Sequence, residues 1–500
     1  MSDVPQTQAR PDAGVQAREW SPDEIGAAFE RQRRAFLAEG PPSLAVRRDR
    51  LDRLILLLTE NAQEFGEAMD ADFGHRPASV STLTDITGIL LDIEIIRRRL
   101  GAWSRPKRPL AALRPFGLAA KVERVPLGVV GVIGPWNFPL GLVAQPAAAA
   151  LAGGNRVMVK FSEITPRTGA LFAAKVAEFF GPDEMIVVTG GSEAGATFSA
   201  LAFDHLFFTG SPKVGALVAQ AAGKNLVPVT LELGGKNPVV VAEGADVAVA
   251  AEKTMAGRLM NGGQVCLCPE VVYVPEPVQE QFLTRALWRA REIWESEDGP
   301  VSIVNDANFA RVCALVEDAR VKGAEVHEAV PGAVPDAASR RIPPVVVTGV
   351  TADMDIDSEE IFGPVLMMRT YRSMREVVED VAGRPSPLAA YWFGPRGEDF
   401  AEFTARTRFG GMTVDDIALH VAVPGLPFGG VGQSGSGAYH GRAGFDTFTH
   451  ARSTVRTRLG ISMGEALNPP FTQTRGISPD RMLARVALSA RRRVFGRGRS

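Results

Sequence analysis

The chain has 500 residues, a length that predicts about two to four structural units rather than one simple domain. Apolar residues make up 45% of it, the usual share for a globular protein with a large core. Because 55 basic residues nearly balance 57 acidic ones, and no basic stripe with interleaved aromatic residues crosses the body of the chain, the composition excludes a nucleic-acid-binding protein.

Three cysteines in a chain of this size are too few for a disulfide framework and indicate a reducing compartment. The polar stretch 1–20 lacks the apolar run of a secretion signal, and we expect it to be a disordered lead-in. The longest apolar tract, 142–154, is interrupted by Gln145 and Pro146 and is too short to cross a bilayer. These features predict a soluble, cytoplasmic protein without a transmembrane segment.

The first hundred residues are predicted to be helical. Ser21 is a suitable N-cap for a helical region over 22–70, and Pro22 suits its first position. A further helix is predicted over 82–104. Within the first region, leucines recur at helical spacing at Leu51, Leu54, Leu57 and Leu58.

From residue 122 the pattern changes to strands that alternate with helices. The segment VERVPLGVVGVIGPW is β-branched and punctuated by glycine, as is typical of a buried strand. Further apolar runs follow in RVMVKF, EMIVVTG, HLFFTG, VPVTLELGG and NPVVVA. The segment 271–400 repeats the alternation in EVVYVPE, RIPPVVVTG and PLAAYWFG. This pattern predicts an α/β fold with doubly wound parallel sheets and a second α/β domain.

The segment 203–224 predicts a strand, a tight turn at Gly210 and a helix capped by Ser211. A helix N-terminus at the carboxyl end of a parallel strand suits the pyrophosphate of a dinucleotide. The turn is not a G-x-G-x-x-G motif, however, and strand–turn–helix units without a ligand are common. The predicted buried face of this helix consists of Val214, Leu217, Val218 and Ala221.

Lys160 and Glu163 follow another predicted strand, in VMVKFSE. A lysine and an acid at such a strand end both have the capacity to hydrogen-bond ribose hydroxyls. The alternative is a solvated loop that carries two charges.

Cys266 and Cys268 in NGGQVCLCPE are open to several interpretations. No histidine stands at ligand spacing around them, so no metal site is predicted. A disulfide across one residue closes too small a loop. The remaining alternatives are an inert pair of small buried residues and a nucleophile. Gly262 and Gly263 favour the nucleophile, because they allow the backbone to pass close to a ligand.

Two further strand ends carry polar residues with related chemistry. Glu232 in LELGGKNP has the capacity to activate water, and the Asn137 amide in GPWNFPL is a plausible oxyanion donor. A thiol, an amide donor and a carboxylate at three strand ends form a constellation suited to carbonyl chemistry.

Together these motifs resemble those of aldehyde dehydrogenases. GPWNFPL, KFSE, FTGS, LELGGK, GQVC, EEIFGP (359–364) and LPFGGVGQSGSGAYHG (426–441) occur in the order seen in that family, and the resemblance runs from about residue 22 to about 456. The last motif and the following FDTFTHARS are similar to the class 3 branch, which includes coniferyl aldehyde and fatty aldehyde dehydrogenases. The stretch VDDIALHVAVPGLPFGGVG is similar to coniferyl-type bacterial members.

The resemblance implies roles for specific residues. Cys266 corresponds to the nucleophile, Glu232 to the base that activates the deacylating water, and Asn137 to the oxyanion donor, together with the backbone N–H of Cys266. The implied cofactor is NAD, with NADP also possible. Its implied contacts are Lys160 and Glu163 to the adenosine ribose, Thr209, Gly210 and Ser211 in the cofactor-domain turn, Glu360 to the nicotinamide ribose and Phe362 beside it.

The resemblance also implies an architecture: two doubly wound α/β domains, a small bridging β element and assembly as a homodimer. The expected segments are a discontinuous cofactor-binding domain (21–104, 128–230 and 414–436), a catalytic domain (231–413), a bridging and oligomerisation element (105–127 and 437–458) and a basic C-terminal tail (459–500). The tail is expected either to be a frayed terminus or to form an amphipathic helix on an anionic membrane surface.

Two positions depart from the family pattern. Phe161 stands where the family usually has proline, a change that would tilt the loop from Lys160 to Glu163. Cys268 is unusual so close to the nucleophile, and it is expected either to form a reversible disulfide under oxidation or to line the wall of the site.

The implied activity is the oxidation of an aldehyde to its carboxylic acid through a thiohemiacetal and a thioester on Cys266. Aromatic aldehydes of coniferyl type and medium- or long-chain aliphatic aldehydes both fit the branch, and Trp136, Phe138 and Phe428 are expected to shape the mouth. The alternatives are a CoA-acylating dehydrogenase, which would not need Glu232, and a catalytically silent relative. A charged Glu232 would suppress the thiolate, so we expect this side chain to swing away or to be partly protonated.

Overall fold

The computed structural model describes residues 18–109, 111–458, 468 and 479–495. These residues form two compact units: the larger runs to Arg105 and from Arg124 to Ala451, and the smaller contains Pro106–Glu123 and the residues from Arg452 onward. Of the predicted lead-in, 1–20, residues 1–17 lie outside the described residues, as does most of the tail before residue 479; Arg18 and Trp20 bond to Thr189, so a disordered lead-in is wrong for this last part.

The helices are α1 (Pro22–Glu39), α2 (Leu44–Glu60), α3 (Ala62–Phe73), α4 (Ala78–Ser81), α5 (Gly88–Trp103), α6 (Gly141–Gly153), α7 (Pro166–Phe179), α8 (Ser192–Ser199), α9 (Pro212–Gly223), α10 (Val247–Leu259), α11 (Gln279–Trp294), α12 (Asp306–Val321), α13 (Asp355–Ser358), α14 (Met374–Gly383), α15 (Glu398–Arg406), α16 (Leu419–Ala422), α17 (Gly441–Thr447) and α18 (Pro479–Phe495). The strands are β1 (Leu118–Pro126), β2 (Val129–Ile133), β3 (Arg156–Lys160), β4 (Met185–Val188), β5 (His205–Gly210), β6 (Val229–Leu233), β7 (Pro238–Val241), β8 (Val271–Pro275), β9 (Glu325–Glu328), β10 (Val345–Thr348), β11 (Val365–Tyr371), β12 (Ala389–Phe393), β13 (Gly411–Val414), β14 (Gly435–Ser436) and β15 (Thr449–Thr457).

The N-terminal helices form as predicted. The Ser21 hydroxyl accepts from the Glu24 N–H, and the Glu24 carboxylate accepts from the Ser21 N–H, so a capping box begins α1 at Pro22. The predicted leucine stripe of α2 is fully buried. The helix predicted over 82–104 begins with a π-helical turn over Thr82–Thr87 and continues as α5.

Two larger sheets are formed by the described residues. One has the order β14–β6–β5–β2–β3–β4 and is parallel except for the edge strand β14. The other has the order β13–β12–β7–β8–β11–β10–β9 and is parallel except for β9. The predicted parallel α/β architecture is confirmed, although the sequence reasoning did not identify β11, an interior strand of the second sheet.

Alternate strand residues enter different cores, because side chains along a strand point to opposite faces. In β7, Val239 and Val241 pack into the largest core cluster, whereas Val240 packs into the cluster on the other face of that sheet. In β2, Val130 enters the largest cluster and Val129 a third one. Apolar layers therefore cover both faces of each sheet, as a doubly wound fold requires.

The apolar tract near 142–154 forms the core helix α6. Nearly all of its residues are buried, including Pro146 within the helix. Its alanines allow close packing against α2, α5 and α17. Because α6 starts directly after the GPWNFPL motif, the position of this buried helix also fixes the position of the last residues of that motif.

The predicted domain boundaries remain predictions, although some fall at informative places. The boundary between residues 230 and 231 lies inside β6, a strand of the first sheet. Helix α17, within the predicted bridging segment 437–458, belongs to the larger unit. β1 and β15 pair in a separate two-stranded sheet, and the side chains of β15 after Thr449 are exposed.

The C-terminal segment 479–495 is the helix α18, so a helix rather than a frayed terminus is present over these residues, whereas contact of this helix with a membrane surface stays a prediction. Several large apolar side chains on it are exposed, namely Met482, Leu483, Val486, Leu488 and Val494. In the part of the chain that the structure describes, no helix is both long and apolar enough to span a bilayer.

Candidate active site

A cavity of about 1110 Å³ opens where loops from the two larger sheets meet. Most of the predicted site residues line it: Asn137, Thr209, Gly210, Ser211, Glu232, Cys266, Glu360 and Phe362. Lys160 and Glu163 are not among its lining residues. Side chains from distant parts of the chain thus converge on one cavity, as expected for a ligand or active site.

The loop that carries Cys266 begins with three residues in left-handed conformations, Asn261, Gly262 and Gly263. A Cβ on Gly263 would overlap the main-chain carbonyl of Gly363, and one on Gly262 would lie 2.7 Å from the carbonyl oxygen of Val301. The prediction that these glycines allow the backbone to approach another group closely is correct, but the predicted group, a ligand, is wrong. They pack against the chain's own backbone rather than against space for a ligand.

Hydrogen bonds from buried side chains hold the main chain of the loop that carries Cys266. The Asn237 amide donates to the carbonyl oxygens of Cys266 at 2.7 Å and Cys268 at 3.0 Å. The Tyr391 hydroxyl donates to the carbonyl of Leu267 at 2.6 Å. The Gln264 amide donates to the carbonyl oxygens of Asn261 and Ser302. The direction of the Cys266 side chain is therefore set by its surroundings, as precise positioning of a reactive group requires.

The Cys266 thiol is half-buried at the cavity wall. Its pKa is raised, chiefly by burial and then by the negative charges of Glu360 and Glu232. Burial and like charge both disfavour the thiolate, so the thiol is protonated at neutral pH in this arrangement.

Cys268 faces away from the cavity into the interior. Its Sγ donates to the carbonyl oxygens of Gly257 at 3.3 Å and Arg258 at 3.5 Å, near the end of α10. Burial raises the pKa of this thiol to about 12. All three cysteines are free. Cys268 thus packs in the core and does not line the cavity, so the expectation that it forms part of the wall is wrong, whereas a disulfide under oxidation stays a prediction.

Glu232 lies on β6 with 2% of its surface exposed. Among the described residues, neither carboxylate oxygen has a hydrogen-bond partner of good geometry, although the nearby backbone N–H of Gly430 favours the charged form. Burial dominates and raises the pKa of this carboxyl well above its ordinary value. The protonated acid in an apolar setting, one of the two sequence-based expectations, matches this arrangement.

Asn137 is buried beside the loop that carries Cys266. Its side-chain Nδ2 donates to the carbonyl oxygen of Gln264 at 3.0 Å. An amide nitrogen carries two hydrogens, so this bond orients the group and leaves a second hydrogen for another acceptor. The main-chain carbonyl of Asn137 accepts from Nδ2 of Asn261 at 3.0 Å and from Nη1 of Arg76 at 3.2 Å.

Glu360 and Phe362 lie on the loop between α13 and β11. Phe362 has a φ of 51°, a conformation that is unusual for an aromatic residue and is often found at functional sites. Burial raises the pKa of Glu360 to about 8, with a further contribution from Glu270. A Cβ on Gly234 would overlap the Glu360 carboxylate, so this glycine provides the space that the acid occupies.

Comparison with known proteins identifies the chain. The family model described as "Aldehyde dehydrogenase family" matches residues 9–454. The chain belongs to the aldehyde dehydrogenase family. It is 42% identical over 455 residues to the coniferyl aldehyde dehydrogenase of Pseudomonas sp.. The aligned region covers 90% of this chain and 94% of the relative.

Two further relatives of the dehydrogenase are informative. The dimeric NADP-preferring aldehyde dehydrogenase of Rattus norvegicus is 34% identical, over 89% of this chain and 98% of the relative. The substrate-bound structure of Staphylococcus aureus AldH superimposes with a TM-score of 0.84 at 34% identity, over 90% of this chain and 97% of that chain. The predicted enzyme class and fold are thereby confirmed.

The cofactor-domain turn of the dehydrogenase lies between β5 and α9. Ser211 caps α9 by accepting from the Val214 N–H, as predicted, and the Thr209 hydroxyl is buried without a partner. The predicted buried face is right at Val218, partly right at Ala221, which is half-buried, and wrong at Val214 and Leu217, because Gly215, Val218 and Ala222 are the buried residues of the helix. These small residues allow the helix to approach closely, which leaves Val214 45% and Leu217 60% exposed.

Lys160 is buried at the end of β3, and its Nζ donates to the Phe161 carbonyl at 2.8 Å. It also lies 3.6 Å from the exposed Glu163 carboxylate. Burial lowers the pKa of Lys160. The aromatic ring of Phe161 is buried against Phe172, so the residue that replaces the usual proline is anchored in the core.

Of the aromatic residues expected at the mouth, Trp136 and Phe428 line the cavity. Trp136 packs edge-on against Phe362 at 5.4 Å. Phe138 is not a lining residue and instead packs against the Arg76 guanidinium. Within the described ranges, no group of three or more histidine, cysteine or acidic side chains is placed to hold a metal ion.

Sequence reasoning did not single out the residues that support the Glu360 loop. The Lys236 ammonium donates to the carbonyl oxygen of Glu359 at 2.7 Å. The Glu270 carboxylate accepts from the Ile361 N–H at 2.5 Å. Arg258 Nε donates to the carbonyl of Gly363 at 2.8 Å. Lys236 stands within the LELGGK motif, so that motif was the signal that could have drawn attention to it.

Proposed function

We propose that this aldehyde dehydrogenase oxidises its substrate through a covalent thiohemiacetal and thioester on Cys266. The observation that carries the proposal is the convergence of Cys266, Asn137 and Glu232 on one cavity, on a loop and strands that are tightly hydrogen-bonded. A nucleophile, an amide donor and a carboxyl group are the groups that an acyl-transfer sequence needs.

In the acylation step, the Cys266 thiol releases its proton to solvent, the thiolate adds to the aldehyde carbon, and the carbonyl oxygen becomes an oxyanion. The second hydrogen of the Asn137 amide and the Cys266 N–H stabilise that oxygen. Removing one such donor typically costs about 10²–10³ in rate. When bound, a nicotinamide dinucleotide supplies the hydride acceptor and a positive charge. This charge offsets the effect of the Glu360 and Glu232 carboxyls, which raise the pKa of the Cys266 thiol.

In the deacylation step, Glu232 first loses its own proton to solvent. Its carboxylate then takes a proton from water, the resulting hydroxide attacks the thioester carbon, and the bond to the Cys266 sulfur breaks, which releases the acid and the free cysteine. The raised pKa suits this role, because a carboxylate that binds protons tightly is a stronger base once it is ionised. The apolar surroundings also keep Glu232 neutral while the thiol ionises, so the two groups do not carry adjacent negative charges.

The residues present fit a dinucleotide. The positive end of the α9 dipole favours a phosphate, and at the same turn the Thr209 hydroxyl has no hydrogen-bond partner among the described residues. The exposed Val214 and Leu217 provide an apolar surface for a base. Glu360 is assigned to the nicotinamide ribose with Phe362 beside it, and Lys160 and Glu163 to the adenosine ribose.

We assign NAD as the preferred cofactor. The Glu163 carboxylate would repel a 2′-phosphate, whereas Lys160 would attract it, so NADP is expected as a weaker alternative. The rat relative, which is named NADP-preferring, indicates that the same fold accommodates the phosphate.

The proposed substrate is an aromatic aldehyde of coniferyl type. The similarity to the Pseudomonas enzyme supports it, as do the aromatic rings of Trp136, Phe362 and Phe428 along the cavity. Assays with aromatic and aliphatic aldehydes of graded size, with and without CoA, test the proposal. We expect the highest kcat/KM for aromatic aldehydes and no need for CoA. A dependence on CoA would overturn the hydrolytic assignment, and a preference for aliphatic chains would overturn the substrate class.

Two contacts with larger partners are also proposed. Among the described strands, the exposed strand β15 pairs with β1 alone, which leaves its other edge for a second subunit, and the rat relative is named dimeric, so we assign a homodimer. Helix α18 combines the exposed apolar residues Met482, Leu483 and Val486 with several arginines, a pattern typical of peripheral contact with an anionic lipid surface.

A further inference from the structure

Arg76 and Asp85 form an ion pair that is completely removed from solvent. Both side chains are 0% exposed, and Nη2 of Arg76 lies 2.6 Å from Oδ2 of Asp85. Neither residue lines the cavity. Burying two charges is costly and seldom stabilises a fold more than apolar residues of similar volume, so such a pair calls for an explanation other than stability.

The pair contacts both ends of the segment that carries Asn137. Oδ1 of Asp85 accepts from the N–H groups of Leu140 at 3.2 Å and Gly141 at 3.1 Å. These are the first N–H groups of α6, where a carboxylate is favourable. At the other end, Nη1 of Arg76 donates to the main-chain carbonyl of Asn137 at 3.2 Å.

The pair itself is fixed by its surroundings. Asp85 lies on the π-helical turn Thr82–Thr87, and such turns are rare and frequently found at functional sites. The Arg76 guanidinium lies 4.9 Å from the ring centre of Phe73 and 5.4 Å from that of Phe138. The Thr84 hydroxyl also donates to Asp85.

We propose that Arg76 and Asp85 are positioning residues that hold the Asn137 amide on the oxyanion of the reacting aldehyde. The proposal rests on the oxyanion role assigned to Asn137 above. An oxyanion donor acts only within about 2.7–3.1 Å of the developing charge, and a displacement of about 1 Å can cost on the order of 10² in rate. The pair restrains the main chain of Asn137, while Gln264 restrains its side chain.

Rapid-reaction measurement of the NADH burst tests this assignment. The variants are Arg76→Met and the nearly isosteric Asp85→Asn, which keeps an acceptor for α6 but removes the charge facing Arg76. Arg50→Met is the matched control, because Arg50 is also buried and paired, with Glu184 at 2.9 Å, but its other bond goes to the main-chain carbonyl of Asn155 rather than to that of Asn137. We expect the burst rate to fall about tenfold or more in the first two variants and to be unchanged in the control, with the KM for NAD unaltered.

A double-mutant cycle with Asn137→Ala separates positioning from a general structural role. If the pair acts through Asn137, adding Asp85→Asn or Arg76→Met to Asn137→Ala will slow the burst no further. Independent, multiplicative losses would overturn the positioning role while leaving the role of Asn137 intact. A normal burst in Asn137→Ala alone would overturn the assigned role of Asn137 and this proposal with it. If Arg76→Met does not fold, Asp85→Asn carries the same test.

Discussion

The two ends of the cavity are built differently. At the Cys266 end, the reactive side chains are wholly or largely buried, and Asn237, Tyr391 and Gln264 hold the loop through hydrogen bonds. At the α9 end, Ser211 and Leu217 are exposed. The groups assigned to covalent chemistry are therefore held by hydrogen bonds and removed from water, whereas Ser211 and Leu217 at the α9 end form an open surface that a ligand can cover.

The difference also concerns charge. Cys266, Glu232 and Glu360 all have raised pKa values, and burial is the principal cause in each case. Of the cations near Glu360, Lys236 and Arg258 are both bound to Glu270. At this end of the cavity the surroundings therefore favour the neutral forms of Cys266, Glu232 and Glu360. In the proposed mechanism, a positively charged cofactor that binds at the other end changes this balance and so couples ionisation of Cys266 to cofactor binding.

The largest expected effect is at the buried end. Cys266→Ala should abolish aldehyde-dependent NADH formation, because no other described cysteine sulfur faces the cavity, and NAD binding measured by fluorescence should be retained. Cys268→Ala is the matched control. It should keep most of the activity and lose about 1 kcal/mol of stability, since it removes one small buried group. Equal loss of activity in both variants would contradict the assignment of the nucleophile.

The pH dependence of deacylation should show the desolvation directly. A base acts only when it is ionised. Because burial raises the pKa of Glu232, the deacylation rate should rise with pH in a range above about 4.3, which is the pKa of an ordinary glutamate. The measurement is the release of acid from a preformed acyl-enzyme between about pH 5 and 10. A rate that is constant over that range would mean that Glu232 is ionised throughout or is not the base.

The smallest expected effect is at the open end. Leu217→Ser should weaken NAD binding about two- to fivefold without changing the burst amplitude, because it removes part of an apolar contact surface. Leu226→Ser is the control, since Leu226 is also exposed but lies beyond the end of α9. Titration of NAD against both variants measures the difference, and equal affinities would show that this face of α9 does not contact the cofactor.

Much of the fold and several site residues could be predicted because their signals are local. Ser21 and Ser211 are caps whose partners lie three residues away, and Glu232 and Cys266 stand in short motifs at strand or loop ends. The buried face of α9 was mispredicted because Gly215 and Ala222 carry no apolar pattern, yet their small size decides which side packs on the sheet.

The supporting residues could not be predicted for a related reason. Asn237, Tyr391, Arg76 and Asp85 contact backbone atoms that are distant in sequence, and no local pattern indicates which carbonyl or N–H a side chain will meet. Their identity depends on how the sheets and helices are packed together. Composition and periodicity therefore indicate the reactive groups more readily than the groups that hold them.

The most direct test of the account is intact-mass analysis of Glu232→Gln after incubation with aldehyde and NAD. If Cys266 forms a thioester that Glu232 helps water to hydrolyse, the variant should produce one burst of NADH and accumulate protein heavier by one acyl group. The double variant Cys266→Ala/Glu232→Gln should show no added mass. Normal steady-state turnover of Glu232→Gln, or a burst without an acyl adduct on Cys266, would contradict the account.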